Sequence, residues 1–128
     1  MIDSARRYLR QNGYPAQTID GGLERLLRHW DLVARSVAQG EVQYQDDYLN
    51  DMDARRILAD MLPHLDPQQR QEAEECLAEA DSLIKPHLIP TEQCIWGDEN
   101  AQQYGYSRDR DWWYYHRPPV VDQTWRNF

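Results

Sequence analysis

The sequence predicts an all-α, mainly helical fold: an antiparallel bundle of four helices with an irregular, aromatic-rich C-terminal segment packed on it. Apolar residues recur at i, i+3, i+4 and i+7 in successive stretches bounded by glycine or proline, the pattern of amphipathic helices. Nine of the fourteen aromatic residues lie in the last 33 positions. Since 128 residues is the usual size of one domain, we expect a single domain over residues 1–128, with a helical body over about 2–88 and a C-terminal cover over 89–128.

Two helices are predicted in the first 40 residues. The first covers residues 3–11 and is short enough to need tertiary support. The second has Thr18 or Asp20 as its N-cap and ends at Gly40. Its apolar stripe consists of Leu23, Leu26, Leu27, Trp30, Val33, Ala34 and Val37. Such a stripe predicts a helix that buries one face in the core.

Two further helices are predicted between residues 46 and 85. The third is capped by Asp46 or Asp47 and ends at Pro63. The fourth opens with Asp66 as N-cap and Pro67 at the first helical position, an arrangement that helix starts prefer. The apolar stripe of the fourth helix consists of Ala73, Cys76, Leu77, Ala80, Leu83 and Ile84. We therefore expect the Cys76 thiol to be buried as a small hydrophobic group.

The C-terminal cover is predicted to be less regular. Asp98 is placed to cap a short helical turn that ends at Gly105, and residues 112–115 are expected to be extended, with aromatic groups on both faces. Three roles are open for this aromatic and arginine-rich segment. It completes the core with arginines stacked on its rings, it forms an exposed interface, or it stacks on a sugar or nucleobase.

The distribution of charge indicates the kind of partner. The chain carries a net charge of -8, and residues 36–99 hold fifteen acids and four bases, a net charge of -11. Binding of a phosphate backbone depends on neutralising lysines and arginines, so duplex nucleic acid is not expected as a partner. A basic protein partner is favoured instead.

Carboxylates are concentrated in two runs that contain no base. The first, EVQYQDDYLNDMD over residues 41–53, includes Asp46, Asp47 and Asp51. Three roles are open for this run: helix capping and solvation, an acidic docking patch, or a Mg²⁺ or Ca²⁺ site with oxygen ligands from Asp47, Asn50 and Asp51 on one helical face. The second run places the carboxylates of Glu72, Glu75 and Glu79 on one helical face, either as a solvated surface or as one that steers a positive partner. The predicted partner-binding set consists of Asp46, Asp47, Asp51, Glu72, Glu75, Glu79, Trp113, Tyr115 and Arg117.

Nothing in the pattern indicates catalysis, so we predict no catalytic residues, no metal ligands and no cofactor. The four histidines are scattered singly, and the two cysteines form no CxxC pair. The rival hypothesis is a small Mg²⁺- or Mn²⁺-dependent enzyme that uses Asp47, Asp51 and a histidine. No apolar run is long enough for a secretory signal or a membrane span, which predicts a cytoplasmic protein without a membrane partner.

The combination of an acidic helical body with a Trp/Tyr patch resembles, in composition, bacterial immunity proteins that block basic nuclease toxins. The resemblance implies an inhibitor of immunity or antitoxin type. We therefore expect a protein-binding module that acts through an acidic helical face and exposed aromatic rings.

Overall fold

The computed structural model describes residues 3–126, and residues 1, 2, 127 and 128 of the predicted domain lie outside the described part. The chain is mainly helical, which confirms the predicted all-α class. Its helices are α1 (Ser4–Gln11), α2 (Ala16–Ala38), α3 (Gln45–Met61), α4 (Pro67–Ile84) and α5 (Asp98–Tyr104). Short 3₁₀ segments cover Leu62–His64, Lys85–His87 and Trp112–Tyr115, and β1 (Ile89–Pro90) pairs antiparallel with β2 (His116–Arg117).

Helix α2 lies at the centre of the packing and contacts α1, α3 and α4. Its predicted stripe is confirmed, because every member is buried: Leu23, Leu26, Leu27, Trp30, Val33, Ala34 and Val37. The Trp30 side chain is fully buried, and its indole N–H donates to Asp81 Oδ1 of α4 at 2.9 Å. The finer arrangement, an antiparallel four-helix bundle, stays a prediction.

The start of α2 differs from the prediction. The helix begins at Ala16 without a side-chain cap from Thr18 or Asp20, and Gly22 interrupts it with φ 64° and ψ -159°. Such a backbone is accessible essentially to glycine alone. Arg6 of α1 donates to the carbonyl oxygens of Ile19 at 3.1 Å and Asp20 at 2.9 Å, just before the interruption. The tertiary contact with α1 thus supplies hydrogen bonds next to the break.

The N-termini of α1 and α4 meet. Asp3 caps α1, and the predicted cap of α4 is confirmed, since Asp66 Oδ1 accepts from the Gln69 N–H at 2.8 Å. Ser4 Oγ joins the two ends, because it donates to Gln69 Oε1 at 2.6 Å and accepts from the Asp66 N–H at 2.9 Å. The two aspartates place negative charge beside two positive helix ends.

Two expectations for α3 and α4 are wrong. Helix α3 begins at Gln45, so Asp46 and Asp47 lie in its first turn, and no side-chain hydrogen bond caps it. The thiol of Cys76 is exposed. The positions that α4 buries are Ala73, Leu77, Ala80 and Ile84. This stripe is narrower than predicted and leaves Cys76 to one side.

The C-terminal cover completes the core, which confirms the first of its three predicted roles. Trp113, Tyr114 and Tyr115 are all buried. They lie in a 3₁₀ turn, so the extended conformation expected for residues 112–115 is wrong. Backbone N–H groups of the strand region bind this turn, with Thr91 donating to the Tyr115 carbonyl at 2.9 Å and Ile95 to that of Tyr114 at 2.8 Å. A tight turn brings successive rings into the core where an extended segment would send alternate rings outward.

A buried ion pair fastens this cover to the helices. Arg55 of α3 donates through Nε and Nη2 to the Asp81 carboxylate at 3.1 and 2.8 Å, and the two side chains are only 8% and 14% exposed. The Arg55 guanidinium carbon lies 4.6 Å from the ring centroid of Trp113 and 5.9 Å from those of Trp30 and Trp112. Charge and aromatic contacts therefore join α2, α3, α4 and the cover at one point.

Candidate docking surface

The connection before α3 is held by the end of the C-terminal cover. The Gln43 N–H donates to the Val120 carbonyl at 3.0 Å, while the Gln43 carbonyl accepts from the Asp122 N–H at 3.2 Å and from the Trp125 indole at 2.8 Å. The Gln43 residue is 8% exposed. These bonds fix one residue of the connection against the body of the protein.

The fixed position of Gln43 presents its two neighbours to solvent. In an extended backbone, successive side chains point to opposite sides, so a buried Gln43 directs Val42 and Tyr44 outward. Val42 is 48% exposed and Tyr44 is 56% exposed. An exposed apolar pair held by a hydrogen-bonded backbone is pre-organised for contact with another molecule.

The first turn of α3 adds two carboxylates to this pair. Asp46 and Asp47 are exposed, and neither forms an ion pair with a residue that the structure describes. They line an open groove of 540 Å³ together with Tyr44, Gln45, Thr124 and Arg126. We define Val42, Tyr44, Asp46 and Asp47 as the α3 docking surface.

A second set of predicted carboxylates lies on α4. Glu72, Glu75 and Glu79 are exposed as expected, and we call them the α4 acidic face. Partial burial, and then the negative charges of these three glutamates, raise the pKa of the Cys76 thiol. Gln71 Nε2 donates to Glu75 Oε1 at 3.3 Å. This face lacks an aromatic contact residue of the kind that the α3 docking surface has.

The structure places Asp51 in an internal contact. Asp51 Oδ1 lies 2.8 Å from His29 Nε2 of α2, and the Asp51 side chain is 18% exposed. The hydrogen bond that His29 donates to Asp51 raises the pKa of His29, against the opposing effect of burial. Asp51 therefore joins α2 to α3. Residues 3–126 contain no group of three His, Cys, Asp or Glu placed to hold a metal ion.

The aromatic part of the predicted partner-binding set belongs to the core. Trp113 is 2% exposed and Tyr115 is 8% exposed, which corrects the expectation that they present rings to a partner. Arg117 is half-buried in β2, and its Nη1 donates to the Pro118 carbonyl at 3.1 Å. Sequence reasoning missed Val42 and Tyr44, although both lie in the acidic run over residues 41–53. Their position beside Asp46 and Asp47 was the available signal.

Comparison of the chain with protein-family models, with curated proteins and with solved structures found no match. Among the described residues, no helix combines the length and apolar character needed to cross a membrane.

Proposed function

We propose that this chain is a cytoplasmic protein-binding module whose α3 docking surface recognises a basic protein. The observation that carries the proposal is the exposed Tyr44 ring beside two carboxylates without ion-pair partners among the described residues. Tyrosine is enriched among the residues that dominate binding energy, and unpaired carboxylates attract a positive surface and raise the association rate. The net charge of -8 favours the same kind of partner.

Binding to a purified partner tests this proposal. The partner is isolated from cells on the wild-type chain, purified, and titrated at low and high salt. We expect Tyr44→Ala to weaken binding by about tenfold or more, since a central tyrosine contributes about 2 kcal/mol. Asp46→Asn together with Asp47→Asn is expected to slow association and to reduce its salt dependence.

The α4 acidic face supplies the matched control. Glu72→Gln together with Glu79→Gln also removes two negative charges, but from another exposed surface, so we expect nearly unchanged affinity for the partner. The proposal fails if these control variants lose binding while the variants of the α3 docking surface keep it. It also fails if the purified partner is acidic and its binding does not respond to salt.

The more specific form of the proposal is an inhibitor of immunity or antitoxin type. Its support is the acidic charge and the exposed aromatic contact, which suit a basic toxin or enzyme. Stoichiometric addition of the chain should then suppress the activity of the purified partner, and Tyr44→Ala should restore it in proportion to the lost affinity. A partner whose activity is unaffected by saturating chain would refute the inhibitory role.

A further inference from the structure

A cavity of 300 Å³ lies between α3 and the region of α5, away from the residues of the α3 docking surface. It is lined by one carboxylate, one amide and three aromatic rings: Asp53, Asn100, Trp96, Tyr104 and Tyr106. A volume of this size fits a small organic group. The chemistry of the lining residues determines which kind of organic group can bind.

The Asp53 carboxylate is held in place by one oxygen and leaves the other available. Its Oδ1 accepts from the Trp96 indole N–H at 3.0 Å and from the Tyr114 hydroxyl at 2.6 Å. Burial raises the pKa of Tyr114 far above its usual range, so this hydroxyl stays protonated and remains a donor. Among the described residues, no hydrogen bond reaches Oδ2 and no cation forms an ion pair with Asp53. One carboxylate oxygen is therefore left for a ligand.

Aromatic rings line the same cavity as the carboxylate. Tyr104 is 58% exposed, and its ring stacks on Tyr106 with a centroid distance of 5.8 Å. The same cluster already holds a cation, because the Arg56 guanidinium carbon lies 4.7 Å from the Tyr106 centroid. Arg56 forms its ion pair with Asp60, and among the described residues it forms none with Asp53. Ring faces and an unpaired carboxylate both attract positive charge and disfavour an anion.

We propose that Asp53, Trp96 and Tyr104 form a cation cage that binds a guanidinium or alkylammonium group. The carboxylate oxygen accepts hydrogen bonds from the ligand, and the rings contact its planar or methylated faces. The amide oxygen of Asn100 offers a further acceptor, since its Nδ2 is engaged with the Trp96 carbonyl at 2.7 Å. The ligand is a free organic cation or the side chain of an arginine or lysine. The cage is independent of the α3 docking surface.

Titration of the full chain with small cations tests the cage without any protein partner. The ligands are Nα-acetylarginine amide, Nα-acetyllysine amide and tetramethylammonium, followed by calorimetry and by NMR shifts of the Trp96 indole. The neutral control is Nα-acetylcitrulline amide, which has nearly the shape of the arginine compound. We expect saturable binding with a dissociation constant of roughly 1 mM for a group of this size, and at least about tenfold weaker binding of citrulline.

Two variants and two controls locate the binding. Asp53→Asn is expected to weaken binding by about tenfold or more, and Tyr104→Ala by about three- to tenfold, which is the usual strength of such contacts. Glu79→Gln removes one charge elsewhere, and Leu32→Ala removes an apolar side chain of the same 58% exposure elsewhere, so both should bind like wild type. Because Tyr104 is exposed, its variant tests the proposal even if Asp53→Asn fails to fold.

A peptide with one arginine between glycines and serines distinguishes the two ligand sources. Affinity equal to that of the free arginine compound supports a free cation, and clearly tighter binding of the peptide supports a protein side chain. The proposal is overturned if no cation binds saturably, if citrulline binds as well as arginine, or if Tyr104→Ala and Leu32→Ala behave alike. These titrations need no protein partner, so they can fail while the proposed function holds. The proposed function can likewise fail while the cage binds cations.

Discussion

Removing the Arg55–Asp81 ion pair one partner at a time, and then both together, tests how the cover is fastened to the helices. Asp81→Asn leaves the Arg55 guanidinium buried without a carboxylate, and its Nη1 already lacks a partner among the described residues. Arg55→Met leaves a carboxylate that still accepts from Trp30 Nε1 at 2.9 Å. The double variant removes both charges and keeps an acceptor for the Trp30 indole.

The expected magnitudes follow from the burial of the two groups. A buried charge without its partner costs about 3–5 kcal/mol, which we expect for Asp81→Asn. For a chain of 128 residues this lowers the melting temperature by about 12–20 °C. Arg55→Met should cost less, about 2–3 kcal/mol, because the remaining carboxylate keeps one hydrogen bond. The double variant should be more stable than Asp81→Asn alone, so the coupling must exceed the cost of Arg55→Met and reach about 3 kcal/mol, the upper end of the usual range.

Urea unfolding followed by far-ultraviolet circular dichroism measures these free energies in parallel. The slope with urea should be similar in all four proteins if the variants keep the same folded state. A double variant less stable than Asp81→Asn would refute the reasoning, as would costs that simply add. Either result would mean that the guanidinium does not depend on the Asp81 carboxylate.

Three further outcomes are expected. Gly22→Ala should destabilise the fold by about 2–4 kcal/mol, because φ is positive at this position and the added Cβ would lie 2.9 Å from the Arg6 guanidinium. Gly13→Ala has φ 73° but open space around its Cβ, so it should cost about 1 kcal/mol. Equal melting temperatures of the two variants would contradict the clash. Deleting residues 107–128 removes three buried aromatic rings and should lower the melting temperature by more than about 10 °C. An unchanged melting temperature would show that the cover is dispensable for stability. The pKa of His29 is raised above its ordinary 6.5, so the stabilisation by Asp51 is fully present below about pH 6.5 and is lost as pH rises through the folded value. The stability difference between wild type and Asp51→Asn should shrink from pH 6 to pH 9, and a difference independent of pH in urea unfolding would count against the pair.

The parts of the fold predicted from the sequence are those decided by neighbouring residues. The start of α4 was predicted because an aspartate cap and a proline at the first helical position act within one turn. The break at Gly22 was not, since it is accompanied by hydrogen bonds from Arg6 in another helix. The burial of Cys76 was misjudged because the width of a buried stripe depends on which neighbours a helix meets.

The candidate site was also predicted only where neighbouring residues decide the structure. Exposure of Asp46 and Asp47 was predicted, since charged residues in a first helical turn favour solvent and the helix end. The exposure of Tyr44 depends on a clamp from the far end of the chain, and the contact of Asp51 with His29 depends on how α2 and α3 pack. Both features depend on residues that are far apart in the sequence, so the spacing of neighbouring residues could not predict them.

The hydrogen bonds at Gln43 have a practical consequence for anyone who handles the protein. The carbonyl of this residue accepts hydrogen bonds from Asp122 and Trp125, so residues 122–125 hold the segment that carries Tyr44. Arg126 itself lines the adjoining groove. A substitution or label at residues 122–126 would therefore disturb the support of the exposed Tyr44 side chain. The exposed thiol of Cys76 on α4 offers an attachment point for a label away from this contact.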